Sequence, residues 1–375
     1  MNKNLIALAV AGAFVAPAAM AQTANPVVLY GQVNVTAESV EARSGTTPVS
    51  RRTRVEDQSS RLGVRGTEDL GGDLKAFFQL ETAFRPDQNN TTFAARNSAV
   101  GLPGGWGSIL IGRWDMPFKT ATIAIDPWGD ITIAGITGVL NDGGNFDRRD
   151  QNVAEYWSPT WGGFAFRLAA TANENKNNSG TCATGTGINP NCNPRDVGAN
   201  VTFTRGPLYL FYAYEDHKDQ TGGSGSALGQ PLAVTGLSSA KETGNAGGGS
   251  FVFGPVKIGA QYQEFKKTGP TAATNRTKQK AWMGNIVWTL GNNQFIYQYM
   301  NMKNGKSTTA VTEEPDCDSN SIGYKYNFSR RTSFIAHYVD VKNNSTASCN
   351  FGSNRLAAAA GQDPRGFAVG FLHNF

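Results

Sequence analysis

The sequence predicts an all-β protein, a transmembrane antiparallel β-barrel of about sixteen strands. Between Gly366 and Phe375 large apolar residues alternate at Phe367, Val369 and Phe371, which is the period of a strand with one apolar face, and the chain ends on an aromatic residue. Beyond residue 21 the chain has no apolar run of about 18 residues that would predict a transmembrane helix. Short turn-like segments alternate with long polar segments along most of the chain.

Residues 1–21 have the pattern of a secretory signal peptide. Lys3 precedes an apolar run from Leu5 to Val15, and the small-residue site Ala19-Met20-Ala21 follows. This A-x-A pattern predicts cleavage before Gln22, which leaves residues 22–375 as a single barrel domain. The chain is predicted to be exported, ends on an aromatic residue and has strands in place of an apolar helix. Together these features favour a location in the Gram-negative outer membrane over the periplasm or the medium.

The composition suits many strands joined by turns, with 44 glycines and 16 prolines among 375 residues. A hydrophobic content of 39% does not argue against a membrane barrel, because such a barrel hides its polar residues in a wet lumen. The net charge of +5 is small and the basic residues form no run, so no nucleic-acid partner is expected.

Alternation inside single segments, such as Val256 to Gln263, does not distinguish a barrel from a soluble sandwich, whereas the connections do. The predicted short turns are Glu68 to Asp73, Gly104 to Gly107, Thr160 to Gly163, Arg205 to Pro207 and Leu290 to Asn293. The predicted long connections are Asn173 to Arg195, His217 to Thr243, Lys303 to Asp318 and Asn343 to Pro364. The strands are predicted to start near Val27, Ser60, Leu74, Phe93, Ser108, Gln151, Phe164, Ala199, Leu208, Gly248, Val256, Ala281, Gln294, Ile322, Thr332 and Arg365.

Seven short motifs follow one another along the chain. The motifs are Leu29-Tyr30-Gly31, Ser60-Arg61-Leu62-Gly63, Gly66 to Gly71, Phe78 to Glu81, Val100-Gly101-Leu102, Gly112-Arg113 and Tyr156 to Pro159. Together they resemble the general diffusion porins of Gram-negative bacteria, and most of all the anion-preferring trimeric porins of betaproteobacteria. The resemblance covers nearly the whole chain after residue 21. It implies a homotrimer of barrels, each with a water-filled pore that the third loop narrows.

The segment from Trp114 to Arg148 is the expected constriction loop. It is longer than about 12–15 residues, and loops of that length without secondary structure of their own are uncommon. Its apolar stretch, Ile131 to Leu140, favours packing against the barrel over exposure to water. A surface insertion is the alternative interpretation.

The resemblance also implies an arginine cluster from three strands of the pore wall, facing acidic groups. The expected constriction residues are Arg61, Arg96, Arg149 or Arg148, Glu81 on the wall and Asp126 on the loop. Alternation turns Arg61 inward, because Leu62 and Val64 then face the lipid. For each arginine taken singly, an ordinary solvated charge on the barrel is the alternative.

The four cysteines lie in a chain that is exported, so disulfides are permitted. Of three possible connectivities we favour Cys182–Cys192 within one long connection and Cys317–Cys349 between the last two. Free thiols remain the alternative. No C-x-x-C spacing is present, and no complete calcium loop appears, so no metal site is predicted.

The sequence offers no convincing catalytic site. Of the three histidines, His337 has a serine four residues away in the same strand, Ser333, which is too far for a direct hydrogen bond. We therefore expect a protein that is not an enzyme and needs no cofactor. It should be a passive channel for ions and small hydrophilic solutes that prefers small anions.

The expected partners are two further copies of the chain, outer-membrane lipid and lipopolysaccharide, and small anionic solutes. Phe375 resembles the aromatic C-terminal signature that the barrel-assembly machinery reads in outer-membrane proteins. The main alternative function is a ligand- or host-binding barrel, an adhesin or receptor, with little conductance. An outer-membrane hydrolase and a secreted soluble β-protein are further alternatives.

Overall fold

A computed structural model describes most of the chain. The described residues are 27–45, 48–88, 91–129, 131–141, 146–172, 183–184, 187–188, 193–219, 241–268, 276–304 and 315–375. The predicted signal peptide and Gln22 lie outside this part, and cleavage before Gln22 stays a prediction. No helix among the described residues is both long and apolar enough to cross a membrane.

Sixteen antiparallel strands form the barrel. The first eight are β1 (Val28–Arg43), β2 (Val49–Asp57, resumed as Arg61–Gly71), β3 (Leu74–Phe84), β4 (Ser98–Gly104), β5 (Gly107–Asp115), β6 (Arg149–Trp157), β7 (Phe164–Thr171) and β8 (Arg195–Arg205). The others are β9 (Leu208–Lys218), β10 (Lys241–Phe253), β11 (Val256–Thr268), β12 (Arg276–Leu290), β13 (Asn293–Asn304), β14 (Asp316–Asn327), β15 (Thr332–Asn343) and β16 (Asp363–Asn374). Minor strands are Thr91–Thr92, Ala183–Thr184 and Gly187–Ile188.

The first and last strands pair with each other and close the sheet. The register of β1 on β16 runs from Gln32 opposite Asn374 to Arg43 opposite Asp363. On its other edge β1 pairs with both pieces of β2, which meet around the irregular residues 58–60. The predicted closed barrel and its strand number are confirmed.

The connections differ in length at the two ends of the barrel. Short turns join β2 to β3, β4 to β5, β8 to β9, β10 to β11 and β12 to β13. At Gly206, Gly254 and Gly291 the turn has φ of 56°, 55° and 57°, a left-handed backbone that glycine adopts without cost. The long connections lie at the opposite end, together with the short connection from β1 to β2. The termini of the described chain lie at the short-turn end.

The two faces of the sheet differ as the lipid and the lumen demand. Large apolar side chains stay exposed on the outward face, among them Tyr212, Ile258, Trp282, Tyr297 and Phe371. Their strand neighbours point inward; many are polar, for example Gln261, and others such as Met283 are apolar and buried under the inward-folded loop. Aromatic residues therefore line the outside, where they provide the interfacial girdles of a membrane barrel.

Several strands begin earlier than predicted. The sequence places starts near Gly248 and Ile322, whereas β10 begins at Lys241 and β14 at Asp316. The first residues of these strands are polar because the hydrogen-bond ladder continues beyond the lipid-facing band. A prediction from hydropathy therefore assigns them to loops. The fourth strand starts later than predicted, at Ser98 rather than Phe93, because Ala94 has a positive φ of 54° that breaks the ladder.

Candidate pore constriction

The connection from β5 to β6 folds into the barrel. It contains helix α1 (Pro117–Ile123), which proline at its first position initiates, and a short 3-10 turn (Ile136–Gly138). Its large apolar side chains are fully buried, including Phe118, Ile125 and Leu140. They form one cluster with inward-facing residues of the wall such as Met283 and Ile335. The loop is therefore packed on the wall and is not a surface insertion.

Side-chain amides of the wall hold the backbone of this loop. Asn200 donates to the carbonyl oxygen of Pro117 at 2.6 Å, and Asn285 donates to that of Ile125 at 2.9 Å. Further donors are Asn34 to Ile131 at 3.0 Å, Gln298 to Ala134 at 3.2 Å and Gln261 to Thr122 at 3.4 Å. Buried carbonyl groups that accept such bonds avoid the desolvation cost of an unpaired group. The wall of β8 to β14 is thus covered by the loop.

Two further contacts fix the loop: its own Trp128 binds β14, and the last long connection binds its backbone. The Trp128 indole donates to Ser321 Oγ on β14 at 3.2 Å. Backbone bonds join Asn350 to Gly138 at 3.2 Å and Gly352 to Ile133 at 3.0 Å. A Cβ at Gly138 would lie 2.0 Å from the carbonyl oxygen of Asn350, so only glycine permits this approach.

Arg96 lies on the part of the wall that the loop leaves uncovered. It precedes β4 and donates from Nε to Glu81 Oε1 on β3 at 2.6 Å. Glu81 Oε2 also accepts the Tyr30 hydroxyl at 3.1 Å. Burial, and after it the positive charge of Arg149, lowers the pKa of Arg96. Asn97, the next residue, accepts from Arg149 Nε at 2.7 Å, so two of the expected arginines lie close together.

Arg149 begins β6 and is bound on two sides. Its Nη2 lies 2.9 Å from Asp115 Oδ1, and its Nε donates to Asn97 Oδ1 at 2.7 Å. Asn97 in turn donates to Asp115 Oδ2 at 3.0 Å. Lys119 of the loop lies 3.5 Å from Asp115 and 3.0 Å from Asp147.

Arg61 starts the second piece of β2 and its Nη2 donates to Gln32 Oε1 on β1 at 3.0 Å. It is half-buried on the inward face, as alternation predicts. It pairs with Ala83 on β3, two residues from the Glu81 that binds Arg96. The structure therefore brings Arg61, Arg96 and Arg149 to one stretch of wall.

Arg148 points to a different place. Its guanidinium lies 2.9 Å from Asp150 and 2.8 Å from Asp196, and only 3% of the residue is exposed. Near these carboxylates, His217 and Glu215 form a 2.7 Å contact below the ring of Phe146. Arg148 anchors the end of the loop in this buried group.

Asp126 lies inside the loop itself. Its carboxylate accepts the backbone N–H of Trp128 at 3.0 Å and that of Ile136 at 3.3 Å. The carboxylate that meets an arginine across the wall is instead Asp115, with Asn97 beside it. Sequence reasoning did not single out these two residues. The signal that identifies them is their register, because Ser98 pairs with Arg113 and Asp115 with Arg149.

Cys317 and Cys349 form a disulfide between β14 and the last long connection, as predicted. Its Cα atoms are 6.3 Å apart. The same connection touches the constriction loop through Asn350 and Gly352, so the bridge braces both. Cys182 and Cys192 lie outside the described residues.

Phe375 is part of the closed barrel. Its backbone exchanges two hydrogen bonds with Gly31, both at 3.1 Å. The aromatic ring covers Gly31 so tightly that a Cβ there would be 2.5 Å from the ring. The final residue therefore completes the pairing of the first and last strands.

The comparisons with known proteins agree with this geometry. The family model of the Gram-negative porins matches residues 7–346. The outer membrane porin protein 32 of Delftia acidovorans is 28% identical over 397 residues, which cover all of both chains. This similarity extends over the loop and the wall described above.

Solved structures show the same fold. An anion-selective porin from Comamonas acidovorans superimposes with a TM-score of 0.76 and 25% identity, over 94% of this chain and 100% of that one. A trimer form of OmpT from Vibrio cholerae superimposes with a TM-score of 0.67 and 14% identity, over 94% and 100%. The chain therefore belongs to the Gram-negative porin family and is a passive diffusion channel of the bacterial outer membrane.

Proposed function

We propose that this porin prefers anions and that Arg61, Arg96 and Arg149 form its selectivity filter. The observation that carries the proposal is their position on one uncovered stretch of wall opposite the inward-folded loop. Two carboxylates, Glu81 and Asp115, contact this group. Three cations against two anions leave a local positive excess.

The chemistry of arginine suits a filter. A guanidinium stays protonated throughout the physiological range and presents a fixed set of donors to carboxylate or phosphate groups. Walls of low dielectric focus the field of a few charges into a narrow lumen, so small ions of opposite sign are concentrated there. The binding must stay weak, because a tightly held ion would block the pore. Small inorganic anions and organic acids are the solutes that this filter favours.

The test is the zero-current potential of the purified trimer in a planar bilayer under a potassium chloride gradient. We expect a potential of anion sign, and the triple variant Arg61→Ser, Arg96→Ser, Arg149→Ser should move it toward cations. The matched control removes three exposed arginines, Arg205, Arg330 and Arg331, from the short-turn end.

An anion-signed potential that the triple variant leaves unchanged would place the filter elsewhere. A cation-signed potential of the unmodified protein would be consistent with a diffusion channel but would contradict the proposed arginine filter. Correctly folded protein that conducts nothing would favour the adhesin or receptor alternative.

We propose a homotrimer with one pore in each protomer. Its support is the family and the trimer form among the similar structures. Mass measurement in detergent should give three chains, and single insertions should conduct in three equal steps. A single step for each insertion would contradict the proposal.

A band of lysines on the outward face is the proposed contact with anionic lipid, including lipopolysaccharide. The lysines stand at the long-loop end of β9 to β13 and are Lys218, Lys241, Lys266, Lys278, Lys280 and Lys303. Lys280 precedes the exposed Trp282 by two positions, so it continues the lipid-facing row above the aromatic girdle. Three described carboxylates pair with the band, Asp216, Glu264 and Asp316, which leaves a positive excess. Phosphate groups of the outer leaflet are the complementary chemistry.

This lipid contact is tested with vesicles that contain lipopolysaccharide or only phosphatidylcholine. Replacing Lys278, Lys280 and Lys303 by Gln should weaken retention of lipopolysaccharide through purification. Unchanged retention would place its contact on another face.

Phe375 is the proposed signal for the barrel-assembly machinery. Deleting it should lower the amount of assembled protein in cells far more than the yield of refolding in detergent. Equal losses in both would instead indicate that the ring only packs against Gly31.

The proposal includes a leader, residues 1–21, that is cleaved before Gln22; intact mass of the purified protein tests this. We also propose that transport involves no catalysis, no cofactor and no metal.

A further inference from the structure

A second group of basic side chains faces the lumen on the short-turn side of the constriction. The group, named here the short-turn belt, consists of Arg65, Lys75, Arg167, Lys257 and Lys325. It comes from five strands spread around the barrel, whereas the arginines of the constriction come from one stretch of wall. None of the five has a salt bridge among the described residues.

The register of the strands places the belt on the inward face. Lys325 is opposite Ile335, which is buried in the cluster that supports the loop, and Lys257 is opposite Val287, which packs on that cluster. Directly opposite residues of an antiparallel pair point to the same side of the sheet. Both lysines are half-buried.

Two belt arginines lie over aromatic rings. The Arg65 guanidinium is 5.0 Å from the centre of the Tyr30 ring, and that of Arg167 is 4.5 Å from Trp157. Stacking on a ring fixes a guanidinium without neutralising it. These two charges are therefore held at the wall and stay available to a passing anion.

Three members of the belt, Lys257, Lys325 and Arg65, lie nearer to the short turns than the constriction does, whereas Arg167 is directly opposite Asn200, which holds the loop. Lys257 is four residues nearer to the short turns than Gln261, and Lys325 is four residues nearer than Ser321, and both of these residues hold the loop. Arg65 follows Arg61 by four residues in the same direction. Four residues span about 13 Å along a strand, which is about 10 Å along the axis of a barrel whose strands tilt by about 35–45°. The Debye length is about 10 Å at 0.1 M salt, so the two groups act as separate stages.

Acidic groups at this depth do not balance the belt. Among the described inward-facing residues there are two, Asp69 and Glu155. Asp69 Oδ1 accepts the backbone N–H of Gly71 at 2.8 Å, and Glu155 is only 2% exposed. Five basic groups thus meet one solvated carboxylate.

We infer that the short-turn belt is a second anion-attracting stage, which makes the channel asymmetric and gives multivalent carboxylates a dwelling site on the short-turn side. The inference rests on the proposed anion preference of the channel. A singly charged anion passes both stages with little delay. An anion with three carboxylates is attracted more strongly by the belt and is retained longer, since its attraction grows with its charge.

The experiment compares the unmodified trimer with the double variant Lys257→Gln, Lys325→Gln. Current is recorded from single insertions in potassium chloride at equal positive and negative voltages, and citrate is then added to each chamber in turn. The unmodified channel should rectify and be blocked by citrate more from one side. The variant should lose most of the rectification, and the one-sided block should weaken roughly fivefold at about 0.1 M salt.

The matched control is Arg330→Gln, Arg331→Gln, which removes two exposed charges from a short turn at the same end. It should rectify as the unmodified channel does. Heat-modifiability on a gel establishes that each variant is folded, and the milder single variant Lys257→Gln should give about half of the effect.

The outcomes distinguish the belt from the filter. An unmodified channel without rectification or one-sided block, or a double variant that behaves as the control, overturns the belt. The double variant should keep a zero-current potential of anion sign, because the constriction arginines remain. A cation-signed potential in the unmodified protein would instead overturn the anion preference on which the belt rests.

Discussion

Trp128 is the side chain on which the position of the constriction loop depends most. It is 4% exposed, its indole bonds to Ser321 at 3.2 Å, and its ring stands 5.0 Å from that of His337. A Cβ at Gly323 would come within 2.2 Å of the indole, so β14 has a recess that the ring fills. Replacing Trp128 by Ala should therefore release the middle of the loop from the wall.

The size of the effect follows from this packing. Truncating a buried tryptophan costs about 3–5 kcal/mol, of which the lost hydrogen bond accounts for about 1 kcal/mol. Since 1.4 kcal/mol is a factor of ten, the detached loop becomes roughly a hundredfold to several thousandfold more populated. Trp128→Phe keeps most of the ring and loses mainly the bond to Ser321. It should increase the detached population about fivefold.

Three measurements report on loop release. Trp128→Ala should raise single-channel conductance and noise, and liposome swelling should show passage of larger sugars. Trypsin should cut at Lys119, which is buried while the loop is in place. The control is Trp106→Ala, because Trp106 is a half-exposed residue of a short turn far from the loop. A folded Trp128→Ala trimer with unchanged conductance, sugar limit and trypsin resistance would refute the reasoning.

The remaining predictions concern charge, the disulfide and close packing. Asp115→Asn and Asp126→Asn should each strengthen anion preference, and the zero-current potential should shift more for Asp115 because it touches Arg149; a shift toward cations would contradict this. Cys349→Ser should lower stability by about 3 kcal/mol, seen as a lower Tm, while an unchanged Tm would deny the bridge a bracing role. Gly138→Val should reduce the yield of folded protein, and Gly105→Val, which has open space around it, should not.

The sequence was sufficient for the barrel and its strand number. Period-two alternation, as from Val256 to Gln263, marks a lipid-facing side, and the alternation of short and long connections indicates how the strands are joined. These signals are local, because each strand must bury its backbone in the ladder and show apolar groups to lipid. The inward direction of Arg61 follows from the same local rule.

Strand ends were predicted less well. The ladder of β10 continues to Lys241 although the apolar band ends earlier, and hydropathy does not register hydrogen bonds made in water. The first piece of β2, Val49–Asp57, was missed because it is strongly charged. Arg96 was assigned to a strand, whereas the left-handed Ala94 ends the ladder before it.

By itself the sequence determined that Arg61 turns inward and that the segment from 114 to 148 has to pack against something. Only the tertiary structure decided the partners: Arg149 meets Asp115 and Asn97, Arg148 is drawn to Asp150 and Asp196, and Asp126 caps turns of its own loop. The reason is physical. Which face a side chain takes is set by its own strand, whereas its partner across a lumen depends on how distant strands and an inward-folded loop are brought together when the barrel closes.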